Sequence, residues 1–342
     1  MTGTATEPPA RASLTALLHH YEDAGTPLSC ELVPRGLLNR GWRISTTRGD
    51  FFLKQYVAPD TADPAVIARQ HRATRGLARL GLPAAAPLPD IFGHTVTLLG
   101  RDGYALFPWI EGSHREGTEL TAGQSRRLGT LLGLVHAGLA RVQPAPPPAR
   151  HPSAHPVRTH AQIDQLLALA RGHRPHESFD RLAEHRLLER RDLLLRHAHR
   201  RPPDAEGQVS GWVHGDFHPL NLLYRDEEPA AIVDWDRLGV QPRAEEAVRA
   251  AAIFFVHPVD GRLDLRKVRP YARAYRTAAG VGTDEVAAAV HRVWWERLND
   301  FWMLHWRYER RDRRSDPLFP AASALAVWWT QEYEAVLDAF TA

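Results

Sequence analysis

Residues 212–236 read Trp-Val-His-Gly-Asp-Phe-His-Pro-Leu-Asn-Leu-Leu-Tyr-Arg-Asp-Glu-Glu-Pro-Ala-Ala-Ile-Val-Asp-Trp-Asp, and their pattern decides the fold. Asp216 stands on a tight loop just after the apolar pair Trp212-Val213. Asn221 follows five residues later and opens the run Leu222-Leu223-Tyr224. Asp234 closes another apolar run, Ala230 to Val233. A polar Arg-Asp-Glu-Glu-Pro turn joins the two runs. They read as a hairpin that brings Asn221 and Asp234 to one end, beside the Asp216 loop. One carboxylate suits orienting a hydroxyl, while the amide oxygen and the second carboxylate suit Mg²⁺ on a nucleotide.

Order, spacing and flanking apolar runs together make this stretch resemble the catalytic segment of the aminoglycoside phosphotransferase and choline-kinase-like family. His-Gly-Asp-Phe-His-Pro-Leu-Asn, from His214 to Asn221, matches that family's His-Gly-Asp-x-x-x-x-Asn loop. Ile-Val-Asp-Trp-Asp, from Ile232, matches the strand bearing its metal-binding Asp. The resemblance covers about residues 28–256 well and the tail loosely. It implies an α+β, bilobal, protein-kinase-like fold: a small antiparallel-sheet lobe with one packed helix in residues 1–108, and a larger, mostly helical lobe in 109–342. It implies ATP and Mg²⁺ as cofactors, with Asp216 catalytic and Asn221 and Asp234 on the metal.

Composition narrows the function classes. At 342 residues the chain is long for a single core, which favours two lobes. The net charge is only +3, with 40 acids against 43 bases spread along the chain, so a nucleic-acid binder is disfavoured. A single cysteine, Cys30, excludes an intrachain disulfide and suits a reducing compartment. Neither a secretory h-region nor a membrane-length apolar run is visible, so the expected location is cytoplasmic. The expected state is a monomer or homodimer acting on a small hydroxylated molecule, with no nucleic-acid or membrane partner.

Upstream, Leu28 to Val33, Trp42 to Thr46 and Phe51 to Val57 read as strands after a helix over 10–24. The first two flank Pro34-Arg35-Gly36-Leu37-Leu38-Asn39-Arg40-Gly41, whose glycines let backbone N–H groups approach phosphates. By resemblance this is the nucleotide loop, with Gly36 and Asn39 at the cofactor. Lys54, one of only two lysines against 41 arginines, resembles the family's third-strand lysine, which implies that it holds the α- and β-phosphates. The helix over 63–81 usually supplies that lysine with a Glu. Here the matching place holds Gln70. Three outcomes stand open: Gln70 suffices, another carboxylate substitutes, or Lys54 is less well anchored. Phe107-Pro108-Trp109-Ile110-Glu111-Gly112 resembles the hinge between lobes. There the Pro108 carbonyl would accept from the adenine amino group and the Ile110 N–H would donate to the ring.

Downstream, residues 121–141 form an amphipathic helix carrying His136 on its packed side, capped by Thr121 and Gln124. Two helices fill 161–200 after a Pro-rich linker, and another runs from Arg243 to Val256. Within the last, Glu245 or Glu246 stands where the family has an acid that braces the catalytic loop. Gly215 stands where protein kinases have the arginine that responds to activation-loop phosphorylation, and the chain leaves little room for such a loop, so neither a phosphorylation switch nor a protein substrate is expected. Residues 265–280, 283–311 and 320–340 are helical by pattern, and the middle one lies where the resemblance puts the acceptor pocket. Trp295, Trp302, Trp306, Arg297 and Arg307 suit a ring-bearing or anionic acceptor. Glu296, Asp300, Glu309 and Asp312 suit amines instead, and the sequence leaves both open. Antibiotics, homoserine, choline-like amino alcohols, and a regulatory pseudo-kinase with no turnover remain as alternatives.

Overall fold

The computed structural model describes residues 9–33, 39–57, 63–100, 102–145, 151–204 and 210–342. Gly36 lies outside them. The chain divides into two compact units. One comprises Met1–His114, Gly138–Pro144 and Leu220–Leu238; the other comprises Arg115–Ala137, Ala145–Pro219 and Gly239–Ala342.

The first unit is built on an antiparallel sheet. After helix α1 (Arg11–Leu18) come β1 (Pro27–Leu32), β2 (Arg40–Thr46) and β3 (Gly49–Tyr56). Helix α2 (Pro64–Arg79) intervenes before β4 (Thr97–Leu99) and β5 (Asp102–Pro108). The strands are ordered β1-β2-β3-β5-β4. Alternation along β3 decides what each face carries. Phe51 and Leu53 join Trp42, Ile44, Leu106 and the α1 leucines in one apolar cluster. Tyr56 joins Ile67 of α2 and Ala105 in the other. Two-residue periodicity therefore puts Lys54 on the α2 face, with Phe52 and Tyr56. Helix α2 starts cleanly because Asp63 accepts from the Ala65 N–H at 2.8 Å and Pro64 needs no partner at the first position.

The helical unit opens on α3 (Ala122–Val142), whose last turn is counted with the first unit. A Cβ at Gly129 would lie 2.1 Å from the Tyr271 carbonyl oxygen, so glycine permits close packing of α3 against α7 (Leu265–Ala279). Helices α4 (Pro156–Gly172) and α5 (Ser178–His197) pair before β6 (Ser210–Val213). The hairpin β7 (Leu222–Arg225) and β8 (Glu228–Ile232) belongs to the first unit. Then β9 (Gly239–Pro242) pairs antiparallel with β6 and leads into α6 (Arg243–Phe254). After α7 come α8 (Thr283–Asn299), α9 (Trp302–Tyr308), α10 (Phe319–Gln331) and α11 (Tyr333–Thr341). Trp294, Trp329, Tyr271, Tyr275 and Phe340 are fully buried here.

Two expected helices divide. The run over 283–311 breaks after Asn299, where Asp300 turns the chain by accepting from the Trp302 N–H at 3.0 Å. The run over 320–340 breaks at Glu332. Apolar periodicity continues across both breaks, so spacing alone does not register them. The 10–24 helix is shorter than expected, ending at Leu18.

Candidate active site

The hairpin forms as the sequence implies. Leu222 pairs with Ile232, and the Val233 N–H donates to the Asn221 carbonyl at 2.9 Å, so Asn221 and Asp234 share the open end. Asp234 takes a left-handed backbone, φ 57°, which turns the chain sharply out of β8. Its side chain is 49% exposed, whereas Asn221 is buried.

Lys54 reaches the same place from β3. Its Nζ lies 3.1 Å from Asp234 Oδ1 and 2.6 Å from Asp236 Oδ1, with 11% of the side chain exposed. Burial alone would lower its pKa, but the two carboxylates outweigh burial and raise it, so the ammonium stays charged. Burial raises the Asp236 pKa, with Lys54 pulling the other way.

Asp236 was not among the residues picked out from sequence. Its signal was the Asp-x-Asp spacing with Asp234, together with the missing acid at position 70. Gln70 is 2% exposed and does not bond Lys54; its Nε2 donates to the Asp236 carbonyl at 2.8 Å. Of the three outcomes left open, the structure has a different carboxylate serving Lys54. Asn39 donates from Nδ2 to Asp236 Oδ2 at 2.5 Å and accepts from the Val57 N–H at 3.0 Å.

At the expected hinge, Pro108 ends β5 opposite Phe51 and the Trp109 N–H donates to the Asp50 carbonyl at 3.1 Å. The Arg43 guanidinium lies 4.5 Å over the Trp109 ring, fixing that side chain. The Ile110 N–H has no hydrogen-bond partner among the described residues.

Asp216 lies in the helical unit, on the loop that leaves β6. Gly215 takes φ 84°, a region glycine enters freely. Glu246 of α6 accepts from the backbone N–H groups of His214, at 3.1 Å, and Gly215. Of the two acids expected to brace this loop, Glu246 does so; Glu245 instead pairs with Arg292 at 2.7 Å. His136 Nε2 meets Glu246 Oε2 at 2.7 Å, and its Nδ1 meets the Tyr275 hydroxyl at 3.1 Å, so it is a core histidine. Burial would raise the Glu246 pKa, but His136, His214 and the Gly215 N–H together hold it below the usual value. His214 Nδ1 accepts from the Asp216 N–H at 3.2 Å, and His218 Nε2 lies 3.6 Å from Asp216 Oδ2.

The tail residues sort into packing and surface. Arg307 is spent on Glu177, at 2.7 Å, and on Asp316, and lies 4.2 Å over the Phe179 ring. Trp295 is buried with its indole N–H on the Ala154 carbonyl at 2.9 Å. Trp302 remains 37% exposed, in edge contact with Trp306 at 5.3 Å. A cleft of about 440 Å³ runs beside α6 and α8, lined in part by Gln241, Pro242, Arg249 and Glu296. It opens at the Ser210/Pro242 end of the β6–β9 ladder, whereas Asp216 follows Val213 at the other end. Arg249 and Glu296 already pair across it at 2.9 Å.

No group of three or more His, Cys, Asp or Glu side chains suited to a metal ion occurs among the described residues. A magnesium site of this type needs only one or two protein oxygens, the rest coming from phosphate and water. A half-exposed Asp234 beside Asn221 fits that requirement. No helix among the described residues is long and apolar enough to cross a membrane.

No curated protein matches the sequence. Solved structures do. Amicoumacin kinase hAmiN in complex with AMP-PNP, Ca²⁺ and Ami superposes with a TM-score of 0.61 at 15% identity, covering 97% of this chain and 94% of that one. Spectinomycin phosphotransferase APH(9)-Ia, in complex with ADP and spectinomycin, gives 0.62 at 13% identity, covering 98% and 99%. A microcompartment-associated aminopropanol kinase gives 0.59 at 14% identity, covering 97% and 99%. At these identities the likeness shows the fold, which is the α+β, protein-kinase-like one expected from the catalytic segment. The family model described as APH, phosphotransferase enzyme family, matches residues 29–281, more than half of the sequence. The chain therefore belongs to the phosphotransferase enzyme family and is a kinase of its small-molecule type.

Proposed function

We propose that this protein is an ATP- and Mg²⁺-dependent O-phosphotransferase that moves the γ-phosphate to a hydroxyl of a small molecule. The observation that carries the reading is the meeting of Lys54, from β3, with Asp234 at the Asn221 end of the hairpin. Lys54 would offer a cation to phosphate oxygens, and Asp234 and Asn221 a carboxylate and an amide to a hard divalent ion. Residues 1–108 would form the nucleotide lobe and 109–342 the catalytic and acceptor lobe.

Lys54 would hold the α- and β-phosphates. Asn221 and Asp234 would hold Mg²⁺, which when bound neutralises charge between the β- and γ-phosphates. The Pro108 carbonyl and Ile110 N–H would take the adenine edge, and the loop bearing Gly36 and Asn39 would cover the phosphates. Asp216 would orient the acceptor hydroxyl and take its proton. Glu246 fixes the backbone on which Asp216 stands, and the His214 contact sets the turn. Catalysis is then mostly positioning and charge neutralisation.

A neutral Gln70 where the family has an acid is the feature that favours a regulator without turnover. With Asp236 at Lys54, that ground weakens, and the enzyme reading is preferred. The acceptors named for the structural neighbours, two antibiotics and an amino alcohol, make hydroxylated amines and antibiotics the first class to try, for a resistance or biosynthetic kinase. A ³¹P and mass-shift screen of such compounds with Mg·ATP tests this. Phosphorylated product that disappears in Asp216→Asn supports it; Mg·ATP binding without product across the panel supports the regulator.

A further inference from the structure

Asp236 gathers three separate elements. Oδ1 accepts from Lys54 on β3, Oδ2 from Asn39 at the entry to β2, and the main-chain oxygen from Gln70 on α2, at 2.6, 2.5 and 2.8 Å. Only 9% of its side chain is exposed, against 49% for Asp234 two residues earlier. The two acids are therefore not equivalent. The Asp234 side chain is half exposed, whereas each oxygen of Asp236 is committed inward.

Gln70 explains how this arrangement is held. Its Nε2 faces a carbonyl oxygen, so a glutamate there would set two acceptors against each other, close to two further acids. The amide supplies a donor instead. Its Oε1 is buried without a partner among the described residues, a cost that the bond from Nε2 must offset. Helix α2 thus steers the lysine indirectly, by clamping the residue that carries the carboxylate.

Resting on the phosphotransferase reading, we propose that Asp236 is the positioning residue for Lys54 in nucleotide binding, taking the place of the acid absent from position 70. The charge-assisted bond at 2.6 Å aims the ammonium, the Asn39 amide holds the carboxylate, and the Gln70 amide holds the main chain that carries it. The arrangement also ties the end of the β1–β2 loop to the lysine through one residue.

The test is calorimetric binding of ATP to wild type, Asp236→Asn, Lys54→Met and the double variant, each with Mg²⁺ and with chelator. Asp236→Asn is expected to weaken binding about tenfold in both conditions, and to add almost nothing in the Lys54→Met background. Asp236→Glu should recover part of the loss. Gln70→Met, which keeps the side-chain volume, should weaken binding about threefold, and not at all once residue 236 is Asn. It keeps the question open to test if Asp236→Asn does not fold, as judged by thermal unfolding. A loss confined to the Mg²⁺ condition would make Asp236 a metal ligand and overturn the inference. Full additivity with Lys54→Met, or unchanged affinity in Asp236→Asn, would overturn it too. If wild type itself binds no ATP, the phosphotransferase reading fails first and this inference falls with it.

Discussion

Glu246 in the helical unit and Asp236 in the sheet unit are both inward-facing acids, yet they use their oxygens differently. Glu246 is 3% exposed and meets two backbone N–H groups and the ring of His136. The Asp236 carboxylate meets the Asn39 amide and a lysine, while the Gln70 amide holds its main-chain oxygen; on the proposed function the lysine alone among these has a second task. The first acid fixes a backbone; the second holds a cation. Burial alone therefore does not tell a structural carboxylate from a functional one. The kind of partner does: backbone N–H groups in one case, a cationic side chain in the other.

The largest expected effect breaks neither acid but the side chain that Glu246 serves. Asp216→Asn should lower kcat by about 10³-fold, in the range for losing a general base, with thermal stability unchanged. Initial rates with the acceptor found by screening check it, and normal turnover would remove Asp216 from the chemistry. Next comes the structural acid. Glu246→Ala leaves two N–H groups and His136 without their partner, and should destabilise the helical unit by about 3 kcal/mol, read as a lower denaturant midpoint. Because the Glu246 pKa is depressed in the fold, its contribution is present above the ordinary carboxylate value and fades as pH falls through the folded value. The alanine variant should accordingly lose less stability on acidification than wild type.

A third, smaller effect concerns a histidine on helix α2 of the sheet unit. His71 is buried between the Tyr56 hydroxyl, 2.8 Å from Nε2, and the Thr95 hydroxyl, 2.7 Å from Nδ1. Burial, then Lys54 and Arg75, push its pKa from 6.5 down to about 3. Between those values the unfolded chain binds a proton that the folded chain refuses, so stability rises with pH across that window and levels off above it. His71→Gln should flatten this slope by up to about 1.4 kcal/mol per pH unit, measured by urea unfolding at several pH values. An unchanged slope would mean that His71 is protonated in the fold.

The catalytic segment was legible because its elements are local. The Asn221–Asp234 hairpin follows from two apolar runs and a polar turn, and Lys54 stood out in a chain nearly without lysine. The bond between Gln70 and Asp236 spans 166 residues, and that between His136 and Glu246 spans 110, so no periodicity links them. Position 70 nevertheless posed the right question, since a buried lysine requires a carboxylate from somewhere. The tail was legible as helix but not as chemistry. Arg307, a candidate for anionic acceptors, turns out to be committed to Glu177 and Asp316.

The most direct test of the central claim needs no acceptor. Calorimetric titration of ATP into Asp216→Asn and Asp234→Asn, with and without Mg²⁺, separates the residue for chemistry from the residue for metal. Asp216→Asn should bind within about twofold of wild type in both conditions, whereas Asp234→Asn should lose the gain in affinity that Mg²⁺ confers. Full Mg²⁺-dependent binding by Asp234→Asn would contradict the account.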